Sequence, residues 1–204
     1  MANADVDFGF FPFETVKRAR LYPVNTAPTI NICLNDIVAA DTSSAASWPK
    51  LGASIMVYDA AVLGDTPGDE FLILGVVLEC FDEKMDPITY IAAGRVGDGT
   101  AAGYVLVADH PGQQFVANLG EAALALADID LNYPIDGKAL YAPQSTSTGI
   151  SAQFIKTTNA AVTKTIPIRL YRQAFIEDNY AAVGCRMICG ITPMCHYWAS
   201  DVGI

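Results

Sequence analysis

The chain has 204 residues, an apolar fraction of 52%, a charged fraction of 17% and a formal net charge of −10. Such a composition excludes a disordered chain and allows one domain with a core that needs no metal or disulfide support. The acidic balance and the thinly spread lysines and arginines argue against a nucleic-acid binder, which needs a basic footprint. So few charges also indicate that partners cover part of the apolar surface.

Residues 1–28 are predicted to form an extended arm, because glycine and proline interrupt every regular pattern there. Its four phenylalanines crowd six positions and are our candidate partner-binding residues: Phe8, Phe10, Phe11 and Phe13. Two interpretations stay open, since the aromatic cluster could pack on the chain's own barrel or dock onto a neighbouring subunit. We expect deletion of residues 1–28 to weaken partner binding more than it unfolds the domain.

Residues 29–204 are predicted to form a single β-rich domain. Short β-rich runs bounded by turn formers recur along it. They cover residues 29–34, 54–59, 71–80, 88–92, 104–108, 114–118, 139–141, 151–155, 165–172 and 185–191. One short helix is predicted over residues 120–127, where alanine and leucine dominate. The pattern predicts an all-β fold, a β-barrel or β-sandwich of roughly ten short strands.

The segment 104–119 is the clearest strand–turn–strand pattern in the chain. Pro111 would preset φ at one central turn position, and Gly112 would accept a positive φ at the next, which predicts a type II turn. His110 lies beside Asp109 here, but adjacent turn residues do not give the geometry of a catalytic dyad. We interpret His110 as a turn histidine that bonds to the backbone.

The five cysteines are odd in number and irregularly spaced, which favours buried free thiols over a disulfide framework: Cys33, Cys80, Cys185, Cys189 and Cys195. On one strand, Cys185 and Cys189 would lie about 13 Å apart, too far to share a zinc ion or a disulfide. An enzyme or metalloprotein that uses His110, or Cys189 with Cys195 and His196, is kept as a minor hypothesis.

No other pattern in the sequence carries chemistry. The acidic segments 65–70, 82–86 and 128–136 lack the spacing of a calcium loop, and the glycine-rich segment 94–103 lacks the lysine of a P-loop. No run approaches the roughly 18 apolar residues of a membrane span, and residues 1–13 do not resemble a secretory signal. We therefore predict no catalytic residue, no metal, no cofactor and no membrane contact, with folding in the cytoplasm.

The order of short features resembles capsid-associated structural proteins of tailed bacteriophages, often called decoration or cement proteins. The features are Ile37-Val38, Leu74-Gly75-Val76-Val77, Val107 to Phe115 (VADHPGQQF), Gly137 to Tyr141 (GKALY), Ile166 to Leu170 (IPIRL), Asp178-Asn179, Gly184 and the final Gly203-Ile204. His110 departs from the pattern because it replaces a second acid at the turn. The phenylalanine-rich arm is a second departure and suits a role in attachment.

The resemblance implies a virion protein on the capsid exterior that binds the major capsid protein and stabilises the shell against internal DNA pressure. It also implies a homo-oligomer, a homotrimer near threefold positions or a dimer that bridges capsomers. Several copies would raise avidity without tight single contacts. The alternative is another virion component, such as a tail, head-fibre or carbohydrate-binding adhesion module.

Overall fold

The computed structural model describes residues 8–24, 27–28, 30–40, 55–57, 73–98, 101–120, 129–136, 148–157, 162, 166–174, 185–196 and 198. Within these ranges the chain forms fifteen β-strands and one 3-10 helix, and no α-helix. The predicted all-β class is confirmed. The predicted strand over residues 139–141 and the predicted helix over residues 120–127, apart from Gly120, lie outside the described residues.

Most of the strands are short. They are β1 Phe11–Pro12, β2 Ala19–Val24, β3 Ile32–Cys33, β4 Ile37–Ala40, β5 Ile55–Val57, β6 Ile73–Phe81, β7 Pro87–Ile88, β8 Tyr90–Ile91, β9 Gly103–Ala108, β10 Gln114–Asn118, β11 Asn132–Tyr133, β12 Ile135–Asp136, β13 Phe154–Ile155, β14 Ile168–Gln173 and β15 Arg186–Ile191. The 3-10 helix Pro193–Cys195 follows β15. No helix of the described residues is long and apolar enough to cross a membrane.

The larger sheet curls into a barrel. Its strand order is β4-β5-β2-β9-β6-β7, and β4 also pairs with β6, so that the pairings of five strands form a ring. All pairings in this ring are antiparallel except the one between β2 and β5. Closure of this kind leaves fewer free strand edges. The barrel encloses a core of buried side chains: Tyr22, Val24, Ile32, Val38, Ala40, Leu74, Val77, Cys80, Ile91, Ala102, Val105 and Val107.

A second sheet, with the order β1-β10-β15-β14-β11, packs against the outside of the barrel. Its inner side chains share a second core with outward side chains of the barrel strands. Strand β6 serves both cores, since Ile73 and Val76 point to the second core while Leu74 and Val77 point into the barrel. Burial on both faces explains why residues 73–77 are apolar without alternation.

The N-terminal segment is part of the domain, and the expectation of an unpaired arm is wrong for residues 8–24. Strand β2 pairs with β9 along its full length, from Ala19 to Val24, and β1 pairs with β10. The prolines suggest an unpaired segment, but both lie where a strand can accept them. Pro12 is in an edge strand, and within the described residues β5 pairs with β2 only at Val24, one residue after Pro23. Deletion of residues 1–28 would remove a strand from the middle of the barrel sheet, which reverses the expectation that the fold survives it.

The turn between β9 and β10 differs from the predicted type II turn. The Gln113 N–H donates to the His110 carbonyl at 2.9 Å and closes the turn, but Gly112 does not take a positive φ. Instead, the Gly112 N–H donates to His110 Nδ1 at 3.0 Å. This side-chain bond favours the peptide orientation that a type II turn would reverse. His110 is thus bonded to its own turn, as its interpretation from the sequence states.

Candidate protein interaction surface

The four phenylalanines of residues 8–13 divide between the two faces of the second sheet. Phe10 is 0% exposed and lies in the second core, whereas Phe11 in β1 is 56% exposed. Successive residues of an extended chain point to opposite sides, so Phe10 faces the core and Phe11, the next residue, faces outward. Phe10 therefore packs on its own subunit, and its prediction as a partner-binding residue is wrong.

The outward position of Phe11 begins a row that crosses the sheet. Phe11 pairs with Val116 in β10, Val116 with Ile188 in β15, and Ile188 with Arg172 in β14. Paired residues of antiparallel strands share a face. Val116 and Ile188 are buried, so they form a packed floor between Phe11 at one end and Arg172 at the other.

Arginines stack on the two phenylalanines that flank Phe11. The Arg172 guanidinium lies 5.6 Å from the centre of the Phe13 ring, and that of Arg186 lies 5.4 Å from the centre of the Phe8 ring. Both distances suit cation–π attraction. Phe8 and Phe13 are half-buried as a result and are held on the outer face of the sheet.

Tyr171 adds a fourth aromatic side chain to this face. It lies at a bulge in β14 and covers Gly190 of β15, where any larger side chain would collide with the Tyr171 ring. The ring is 38% exposed, and partial burial raises the pKa of its hydroxyl. We call this group of side chains the aromatic–arginine surface: Phe8, Phe11, Phe13, Tyr171, Arg172 and Arg186.

The aromatic–arginine surface is basic although the chain carries a net charge of −10. Arg169 belongs to the same outer face, and its guanidinium lies 3.7 Å from the Asp130 carboxylate. Because both side chains are exposed, this ion pair contributes little to stability. Aromatic residues and arginine are the types enriched where protein interfaces derive most of their energy. The surface is therefore suited to a protein partner that supplies carboxylates.

Sequence reasoning found only part of this surface. Phe8, Phe11 and Phe13 were candidates, and the structure brings them together, although their binding role stays a prediction. Tyr171, Arg172 and Arg186 were missed. In β14, buried Ile168 and Leu170 alternate with exposed Arg169 and Tyr171, and this alternation marks a strand with one outward polar face.

A second polar group, the Asp109 cluster, joins the start of β2 to the end of β9: Arg18, Arg20, Tyr22, Asp109 and Trp198. The buried Asp109 carboxylate accepts from Arg18 Nε at 2.7 Å and from the Tyr22 hydroxyl at 2.6 Å. Trp198 Nε1 donates to the Tyr22 oxygen at 3.2 Å, and the Arg20 guanidinium lies 4.3 Å from the Trp198 ring centre. Burial, and then the bond to Asp109, raise the pKa of Tyr22. These contacts hold the Asp109 carboxylate in place. The raised pKa keeps the Tyr22 hydroxyl protonated, so the cluster does not activate it as a nucleophile.

His196 and the cysteines of the minor enzyme hypothesis are buried. His196 is 1% exposed, its Nδ1 accepts the backbone N–H of Trp198 at 3.1 Å, and among the described residues its Nε2 has no hydrogen-bond partner. Burial lowers the pKa of His196 to about 4, so the ring is neutral. Burial also raises the pKa of Cys189 and Cys195, which keeps both as unreactive thiols.

All five cysteines are buried, and none of them is part of a disulfide. Among the residues that the structure describes, no three His, Cys, Asp or Glu side chains lie close enough together to hold a metal ion. Within the described ranges, the aromatic–arginine surface on the second sheet combines exposed aromatic rings with arginines on one outward face. It is the candidate functional site.

No family model, curated protein or solved structure matches this chain. A function therefore has to be inferred from the surface itself and from the order of features in the sequence.

Proposed function

We propose that this chain is a structural protein of a tailed-phage virion that binds the outer surface of the assembled capsid and stabilises it. Its partner is the major capsid protein. The observation that carries the proposal is the aromatic–arginine surface, which a strongly acidic β-protein presents on one face of a packed sheet. The ordered sequence features that resemble decoration proteins supply the phage setting.

Several of the features that carry the resemblance lie on described elements of this fold. Leu74 to Val77 lie in the first half of β6, which serves both cores, and Val107 to Phe115 run from β9 through the turn into β10. Ile166 to Leu170 lead into β14, which bears Tyr171 and Arg172. The resemblance therefore lies in the scaffold that holds the surface.

The aromatic side chains account for attachment. Full burial of one such side chain contributes about 1.5–3 kcal/mol, and Phe11 has more than half of its surface still to bury. Because the sheet beneath is packed and its rings are held by arginines, little conformational entropy is lost on binding. Many identical sites on a shell would add avidity to a modest single contact.

The arginines account for orientation. A guanidinium stacked on a ring, as Arg172 is on Phe13, presents its N–H groups in the plane where a carboxylate binds with two hydrogen bonds. The capsid surface should therefore supply Asp or Glu side chains opposite Arg172. Attachment should weaken as salt is added, since salt screens such pairs at the surface.

Cosedimentation of the purified chain with expanded capsids that lack it tests the proposal. The variant Phe11→Asp should weaken capsid binding about 30-fold or more, because a carboxylate would replace the central aromatic contact. Val96→Asp is the matched control, since Val96 is 60% exposed on a loop of the barrel and should bind as the unaltered chain does.

Two results would overturn the proposal. If the unaltered chain does not cosediment with capsids of its own phage, it is not a decoration protein. If it binds isolated tails or fibres instead, it is a different virion component. Equal binding by Phe11→Asp and Val96→Asp would remove the aromatic–arginine surface as the contact.

A further inference from the structure

The barrel carries a second exposed surface that the proposed function does not use. Apart from Glu79, outward positions of four neighbouring strands are apolar, and the strand register places them in two rows. One row contains Leu21 and Leu106, and the other contains Pro23, Tyr104, Phe81 and Pro87. We call these six side chains the apolar strip.

The apolar strip departs from what a solvated sheet face needs. The outward positions of an antiparallel sheet in water are normally polar, while the inward ones are apolar. Here Leu21 is 42% exposed, Pro87 is exposed, and the other four side chains are half-buried. Met85 extends the surface beyond Pro87, and Glu79 is the one charged residue in the two rows. Another molecule that covered this strip would bury apolar area that the monomer leaves in water.

The two ends of the apolar strip carry opposite charge. Strands β2 and β6 both pair antiparallel with β9, so they run in the same direction. The start of β2 therefore lies at the opposite end of the strip from the hairpin that follows β6. Lys17, Arg18 and Arg20 lie at the first end. Lys17 Nζ donates to the Gly112 carbonyl at 2.7 Å, and Asp109 offsets part of the charge of the two arginines. Arg20 pairs with Val107 and so points to the opposite face of β2 from Leu21.

The other end is acidic. The hairpin at residues 82–86 carries Asp82, Glu83 and Asp86, of which Glu83 accepts from Arg95 at 2.7 Å. Lys84 and Arg95 offset part of this charge, and an acidic excess is left. The strip is thus apolar in the middle, basic at one end and acidic at the other.

We propose that the apolar strip is the contact between two copies of this chain, with the basic end of one copy against the acidic hairpin of the other. An apolar centre is the mark of interfaces between identical subunits. Opposite charges at the two ends make the strip complementary to itself when one copy is turned end for end. The strip shares no residue with the aromatic–arginine surface, so associated copies still present that surface to a partner.

Sedimentation velocity of the purified chain over a range of concentrations tests this contact without any capsid. The unaltered chain should associate reversibly. Leu21→Glu should weaken association about 30-fold or more, because a carboxylate would have to be buried in the apolar centre. Phe11→Asp is the control and should associate as the unaltered chain does. A chain that is monomeric at every concentration, or Leu21→Glu that associates normally, would overturn the proposal.

Charge reversal tests the end-to-end arrangement separately. Lys17→Glu and Asp86→Lys should each weaken association, since each places like charges together. The double variant should recover most of the loss, because the two opposite charges meet again in exchanged positions. A double variant that associates no better than either single variant would rule out this arrangement. Capsid binding is measured on a different surface, so failure here is distinct from failure of the proposed function.

Discussion

At the scale of single residues, the Asp109 cluster shows how a buried charge is accommodated. The Asp109 carboxylate is fully buried, yet it has an arginine and a tyrosine hydroxyl within hydrogen-bonding distance and a second arginine at 3.5 Å. Arg18 also donates to the Asp109 carbonyl at 2.7 Å, which fixes the end of β9 against the start of β2. A charge held in this way costs little while its partners are present and much when one is removed.

Asp109→Ala should lower the free energy of unfolding by about 3 kcal/mol, because it leaves Arg18, Arg20 and Tyr22 without their shared partner. Urea unfolding measures the change. Asp86→Ala, at an exposed position in the hairpin, is the control and should change stability by less than about 0.5 kcal/mol. A similar small effect at Asp109 would show that the cluster does not stabilise the fold.

His196 should make the protein less stable in mild acid. Burial chiefly lowers its pKa from 6.5 to about 4; Arg18 and His110 add to this, and Asp109 opposes it. As pH falls below about 6.5, His196 binds a proton in the unfolded chain but not in the folded one. Stability is therefore lost between pH 6.5 and pH 4. The loss should approach about 3 kcal/mol.

Unfolding by urea at a series of pH values would detect this loss, with His196→Gln as the comparison. The variant should lose the slope that His196 contributes in that window, while the carboxylates still titrate in both proteins. Identical pH dependence in the two proteins would show that His196 does not set it.

At the scale of elements, the alternation of side chains at the start of β1 decides which phenylalanine lies in the core: Phe10, just before the strand, is buried, and Phe11, its first residue, is exposed. Phe10→Ala should cost about 3–5 kcal/mol of stability, because it opens a cavity in the second core. Phe11→Ala, one position along, should cost less than about 0.5 kcal/mol. Thermal or urea unfolding of the pair measures both, and equal losses would contradict the alternation.

Strand β6 depends on a glycine near its start. Gly75 has φ +155°, and a Cβ there would collide with the Ala108 carbonyl of β9. Gly75→Ala should therefore cost about 3 kcal/mol or more, since the backbone of β9 cannot yield cheaply. Gly94→Ala is the matched control: its φ is +74°, but nothing lies within 4 Å of the added carbon, so it should cost only about 1 kcal/mol. Similar losses in both variants would contradict a special role for Gly75.

Several elements could be predicted from the sequence because their signals are local. The strand predicted over Gln114 to Asn118 matches β10, and Phe71 to Cys80 contains most of β6, since each is a short β-rich run between turn formers. Residues 19–24 were missed because Pro23 suggested an unpaired segment, although the residues around it pair fully with β9. Strand propensity alone does not show which prolines occupy strand positions whose backbone N–H would make no hydrogen bond to a neighbouring strand.

The candidate surface was harder to predict because it depends on register. Phe11 and Arg172 are far apart in the chain. They share one face of the sheet only because β10 and β15 pair between their strands. The Asp109 cluster was missed for the same reason, since Trp198 reaches Tyr22 from near the end of the chain. The local signals for parts of the surface were the crowding of phenylalanines at residues 8–13 and the alternation in β14.

At the scale of the whole molecule, two surfaces with different chemistry lie on different sheets. The aromatic–arginine surface suits an acidic partner, and the apolar strip suits a second copy of the chain. A low charged fraction of 17% is consistent with both, because covered surfaces need fewer charges. We therefore expect an oligomer whose subunits each direct the second sheet toward a shell.

Cryo-electron microscopy of capsids mixed with the purified chain tests capsid attachment most directly. We expect ordered density on the outside of the shell, with the second sheet facing the major capsid protein and Phe11 and Arg172 at the contact. Bare shells, or density only on tails or fibres, would contradict this expectation.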